Sequence, residues 1–160
     1  MLATSSTCTF TLRDEYPHLL DVDNTGLREY IELATRFLWR KLDSGQTLPL
    51  GELPLKVVYH TPCHMEKMGW SLYTLELLRL IPGLELTVLD SRCCGIAGTY
   101  GFKRENYATS QAIGAPLFRQ IEESGADIVV TDCETCKWQI EMSTSKRCEH
   151  PITLLANALG

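Results

Sequence analysis

No stretch of the 160-residue sequence approaches the roughly 20 consecutive apolar residues that a membrane-spanning helix needs. Nothing near Met1 combines a basic start with an apolar block, the pattern of a secretory signal peptide, so the expected compartment is the cytoplasm. Lys and Arg do not cluster among aromatics, and the formal net charge is −5, so no nucleic-acid partner is expected. Neither a Walker A pattern nor G-x-G-x-x-G occurs, which removes the usual support for nucleotide binding.

What the chain does have is cysteine. There are seven, an odd number, and five of them stand in close or patterned positions. In a reducing cytoplasm such residues read as metal ligands or redox groups rather than as disulfides.

The apolar pattern places these cysteines. Residues 1–24 are polar and show no periodicity, and are expected to be irregular and poorly packed. Leu27, Tyr30, Ile31, Ala34, Phe37, Leu38 and Leu42 recur at helical steps and predict one helix, closed by Gly45. Residues 47–54 are a connector. The runs LKVVY (55–59), LELTVL (84–89) and DIVVT (127–131) predict strands. Between and after them, helices are predicted over 68–80, 107–123 (disturbed near Gly114 and Pro116) and 134–142, with Pro151 opening a last one. Strand–helix alternation implies an α/β fold of three layers, with a mostly parallel sheet built from βαβ units.

Cys63 follows the first strand, Cys93 and Cys94 the second, and Cys133 and Cys136 the third. Sites in open parallel sheets form at the carboxyl ends of strands, so three loops can bring five thiols together. Each loop leads toward a helix, whose N-terminal N–H groups favour thiolate, the metal-binding form. Gly95 and Gly98 allow backbone N–H groups close to a cluster sulfur. Adjacent Cys93 and Cys94 suit a polynuclear cluster better than one tetrahedral ion, although a zinc ion can take four of the five. Cys133-x-x-Cys136 also has the spacing of a thiol oxidoreductase pair. Cys148 and Cys8 fit the plainer role of a small apolar residue. His60 and His64 flank Cys63 as donors to a sulfur, as substitute ligands, or as ordinary loop histidines. Trp70 and Trp138 are expected in the core, with Trp138 close enough to Cys136 to shield the site.

Cys63, the run Cys93-Cys94-Gly95 and Cys133-x-x-Cys136 resemble the signature of the cysteine-rich CCG domain family, found in heterodisulfide reductase B subunits and lactate-utilisation proteins. HTPCHMEKMGW, CCGIAGTYGFKRENY and TDCETCKWQIEMS carry the resemblance over nearly the whole chain, toward an electron-transfer subunit of an anaerobic respiratory dehydrogenase. The resemblance implies an iron–sulfur cluster, 4Fe–4S and of the non-cubane type, with zinc as the alternative. It implies Cys63, Cys93, Cys94, Cys133 and Cys136 as the ligands. It also implies flavin-containing dehydrogenase subunits as partners, peripheral association with the inner membrane, and delivery of electrons to menaquinone. Such a subunit relays electrons rather than catalysing a reaction alone. The subunits it resembles also carry ferredoxin-type cysteine runs and a second CCG repeat. Ser5-Ser6-Thr7-Cys8 matches the pattern of Cys133-Glu134-Thr135-Cys136. The expected division is therefore 1–24 as the remnant of a preceding repeat, 25–54 as linking helix and connector, and 55–160 as the CCG domain.

Overall fold

A computed structural model describes residues 1–160. Its centre is a four-stranded, all-parallel sheet of order β4-β3-β5-β6, made of β3 (Lys56–Tyr59), β4 (Glu85–Val88), β5 (Ile128–Val130) and β6 (Cys148–Glu149). Val58 lies opposite Thr87 on one side and Val129 on the other. The β-branched runs fill the two inner strands because a doubly covered strand must be apolar on both faces.

Side chains alternate across the sheet and build two cores. Val58 and Val129 join Leu117, Phe118, Ile121 and Ile140, from α7 (Tyr107–Glu123) and α8 (Glu134–Ser143). Val57, Tyr59, Ile128 and Val130 join Leu77, Leu78, Leu154 and Leu155, from α6 (Ser71–Arg79) and α9 (Pro151–Leu159). The chain is thus mixed α/β in three layers, as expected. Pro116 leaves α7 continuous, and Pro151 opens α9. No helix is long and apolar enough to cross a membrane.

The first forty residues depart from expectation. Residues 1–24 are largely helical. β1 (Leu2–Ala3) leads into α1 (Ser6–Phe10), a π-helical stretch (Thr11–Glu15) and α2 (Tyr16–Leu20). Ser6 and Thr9 are fully buried, and Ser6 N–H donates to the Asp132 carbonyl at 2.8 Å, so the segment packs on the domain. The helix expected over 27–42 is split into α3 (Thr25–Arg28) and α4 (Ala34–Asp43) by β2 (Glu32–Leu33), which pairs in parallel with β1. Leu27 and Tyr30 are consequently exposed, while Leu38 and Leu42 pack against the α6/α9 core. The helix expected over 68–80 is α5 (Cys63–Met68) followed by α6, separated at Gly69, whose φ of 69° closes α5.

Candidate metal centre

The chain leaves β3 for β4 on one side and leaves β5 for β6 on the other. The crevice between the ends of β3 and β5 is therefore the topological switch point, where open parallel sheets hold their ligands. β3 delivers His60, Pro62 and then Cys63 in the first turn of α5. β5 delivers Asp132, then Cys133 as the extended residue before α8, and Cys136 in that helix's first turn. The loop after β4 brings Cys93 and Cys94 across. α7 begins at Tyr107, as expected, but the loop reaches it through two 3₁₀ turns (Tyr100–Phe102 and Arg104–Asn106), so the cysteine pair does not lead directly into that helix's N-terminus.

Cys63, Cys93, Cys94, Cys133 and Cys136 all line one pocket of about 120 Å³, walled by Pro62, Ile96 and Ala97 and reached by Thr7, Thr135 and His64. Cys94, Cys133 and Cys136 form its buried floor, and Cys63 and Cys93 stand at its exposed mouth. Cys94 Sγ lies 3.3 Å from Cys136 Sγ, and Gly95 N–H donates to Cys93 Sγ at 3.3 Å. The His60 ring and the Cys94 and Cys136 sulfurs have donor atoms within 4.8 Å of one another. His60 is only 2% exposed, and its Nε2 has no hydrogen-bond partner in the protein. A buried ring nitrogen without a partner costs about 1–3 kcal/mol.

The protons are shared unequally. Cys94 is held far below the ordinary thiol range by hydrogen bonds with Cys136 and Cys93, which outweigh its burial. Cys133 is drawn down to about 5 by Cys136 first, then by the Thr135 and Thr7 hydroxyls. Cys136 is pushed well up by its bonds to Cys133 and Cys94 and by burial. Cys93 rises through its bond to Cys94 and through burial, and Cys63 through burial and its anionic neighbours. The pocket floor thus favours thiolate at Cys94 and Cys133, which both neighbour Cys136, and assembles negative charge that a cation would neutralise.

The backbone beneath is held from two directions. Asp132, fully buried, accepts from the Tyr59 hydroxyl at 2.6 Å and the Thr74 hydroxyl at 3.0 Å, anchoring the Cys133 loop to β3 and α6. Its burial raises its carboxyl to about 6. Gly95 has φ 89°, and a Cβ there would stand 2.0 Å from the Ser110 carbonyl oxygen, so α7 presses directly on the Cys93-Cys94-Gly95 loop.

Two cysteines outside the expected ligand set lie elsewhere. Cys148 is fully buried in the α7/α8 core with its thiol pushed up to about 12 by burial, and Cys8 is exposed outside the pocket. Trp138 is about half exposed, edge-on to Phe102, rather than in the core. Trp70 is half-buried between the guanidiniums of Arg13 and Arg36, at 4.9 and 4.5 Å. Thr7 and Thr135, both within 3.4 Å of Cys133 Sγ, are not singled out by sequence. The match of Ser5-Ser6-Thr7-Cys8 to residues 133–136 sets these two threonines in register and is the signal that could have found them.

The profile of the CCG cysteine-rich domain matches residues 57–141. Across all 160 residues the chain is 86% identical to the C subunit of the anaerobic glycerol-3-phosphate dehydrogenase of Escherichia coli strain K12, of which it spans 40%. It is 32% identical over 146 residues to the lactate utilization protein A of Bacillus licheniformis, covering 83% of this chain and 58% of that protein. It is 32% identical over 96 residues to an uncharacterized iron–sulfur protein of Methanocaldococcus jannaschii, covering 59% of this chain and 19% of that one.

Proposed function

The chain belongs to the CCG cysteine-rich domain family, and from that premise we propose that Cys63, Cys93, Cys94, Cys133 and Cys136 together ligate an iron–sulfur cluster of the 4Fe–4S, non-cubane type. The observation that carries this reading is the convergence of these five thiols, from three loops, on one pocket at the switch point of the sheet. The donors suit the group: soft sulfur ligands, two of them already favoured as thiolates, and a buried His60 Nε2 lacking any other partner. When bound, such a cluster supplies one-electron acceptance and donation. The protein's own contribution is to hold the sulfurs, to direct Gly95 N–H at Cys93 Sγ, and to wall off water with Pro62 and Ile96.

At the level of the whole protein, this domain serves as an electron-transfer part of an anaerobic glycerol-3-phosphate dehydrogenase complex. It relays electrons from flavin-containing subunits toward menaquinone, at the periphery of the inner membrane. The support is the 86% identity to the E. coli dehydrogenase component. Residues 1–24 read as the closing part of a preceding repeat. In favour is a similar order of elements: β1 and α1 precede β2 and α4, with the π-helical stretch, α2 and α3 between them, as β5 and α8 precede β6 and α9, with parallel pairing in both. On that likeness the repeat-like part extends to Asp43, into the stretch expected to be a linker, and residues 55–160 form the cysteine-rich domain.

The full chain purified without oxygen is expected to show broad visible absorbance and a paramagnetic signal in one oxidation state. Colourless protein holding about one zinc per chain would replace this reading with a structural zinc module.

A further inference from the structure

Residues 1–24 contribute none of the five cysteines, yet Thr7 in α1 enters the pocket. Its Oγ1 lies 3.4 Å from Cys133 Sγ and 3.0 Å from His64 Nδ1, while Thr135 Oγ1 lies 3.2 Å from the same sulfur. A hydroxyl has one proton to give and lone pairs to receive with, whereas a thiolate sulfur only accepts. With Cys133 ligating as a thiolate, the Thr7 proton therefore points at the sulfur, and His64 donates Nδ1–H to the Thr7 oxygen.

The arrangement is held rigidly. The His64 ring stacks on Phe10 with centroids 5.0 Å apart and planes 14° from parallel, and the Lys67 ammonium lies 5.1 Å from the Phe10 centroid on that ring's face. On the main-chain side, Ser6 N–H donates to the Asp132 carbonyl at 2.8 Å, and the Thr9 hydroxyl donates to the Ser5 carbonyl at 2.8 Å. Thr7 is thus fixed relative to the very loop that carries Cys133.

We propose that Thr7 is a positioning residue of the metal centre, donating with Thr135 to Cys133 Sγ and raising the reduction potential of the redox group that Cys133 ligates. This rests on the reading of the five cysteines as cluster ligands. The sign follows from charge. Reduction adds negative charge that spreads onto the ligand sulfurs, a hydrogen bond to sulfur grows stronger with that charge, and the reduced state is stabilised more than the oxidised one.

The test is redox potentiometry, followed by visible absorbance and electron paramagnetic resonance, on the full chain purified anaerobically. Thr7→Val keeps the volume and removes the hydroxyl, Thr7→Ala removes it with less crowding, and Thr7→Ser keeps it. Expected are unchanged metal content in all three, a midpoint potential shifted downward in Thr7→Val and Thr7→Ala, and a wild-type potential in Thr7→Ser. Thr135→Val is expected to shift the potential the same way. A wild-type potential in metal-loaded Thr7→Val and Thr7→Ala would overturn the role of Thr7 while leaving the cluster reading intact. A wild-type protein with no reversible redox signal would overturn both.

Discussion

Cys94 and Cys136 stand 3.3 Å apart at the buried floor of the pocket, so each supplies a sulfur at a depth that Cys63 and Cys93, at the mouth, do not reach. Replacing either by Ser is expected to abolish stoichiometric metal, read by elemental analysis of the purified protein. Cys148→Ser serves as the control. It lies in the α7/α8 core with its thiol pushed up to about 12, so the change is expected to cost about 1–3 kcal/mol of stability while metal per folded chain stays at the wild-type value. Metal loss in Cys148→Ser, or retention in Cys94→Ser, would show that the ligand set is drawn wrongly. His60 gives a second residue-scale prediction. Its buried, unpartnered Nε2 beside two thiols is expected to make His60→Ala lower metal affinity about 10–100-fold, measured by competition with a chelator.

At the scale of elements, α7 and the cysteine-pair loop meet in close backbone contact beside the site. A Cβ on Gly95 would meet the Ser110 carbonyl oxygen at 2.0 Å, and one on Gly114 would meet the Cys94 carbonyl oxygen at 2.6 Å. Gly95→Ala also forces a side chain onto φ 89°, and is expected to cost about 3 kcal/mol, visible as a lowered midpoint in chemical denaturation. These elements also show what local pattern can reveal. LKVVY and DIVVT are legible as short β-branched runs whose strand cores are buried on both faces, and residues 107–123 as a long stretch with one buried face. The helix expected over 27–42 is not, because Glu32 and Leu33 pair with Leu2 and Ala3, a non-local contact that overrides helical spacing. The two-residue strand β6 is too short to leave a period. The cysteines are legible from their place after each strand, and the match of residues 5–8 to 133–136 points at Thr7 and Thr135, but that Thr7 reaches Cys133 depends on how α1 docks beside α5, a non-local contact that the match alone does not give.

On the scale of the whole molecule, the candidate metal centre sits at one end of the sheet, beside a core whose largest side chains are not among its thiols. Leu77, Leu78, Leu117, Ile121, Ile140 and Leu154 are at most 1% exposed and lie in the two layers flanking the sheet. Removing metal by chelation is therefore expected to lower the thermal midpoint without unfolding the protein at 25 °C, because a ligand held only by the native state adds its binding free energy to stability. Full unfolding on chelation, seen by far-UV circular dichroism, would mean that the metal organises the core rather than merely occupying the switch point. Whether five converging thiols hold one polynuclear iron–sulfur group is decided by iron, zinc and acid-labile sulfide per chain on anaerobically purified protein. About four iron and comparable sulfide with little zinc are expected; about one zinc with no sulfide would overturn the cluster.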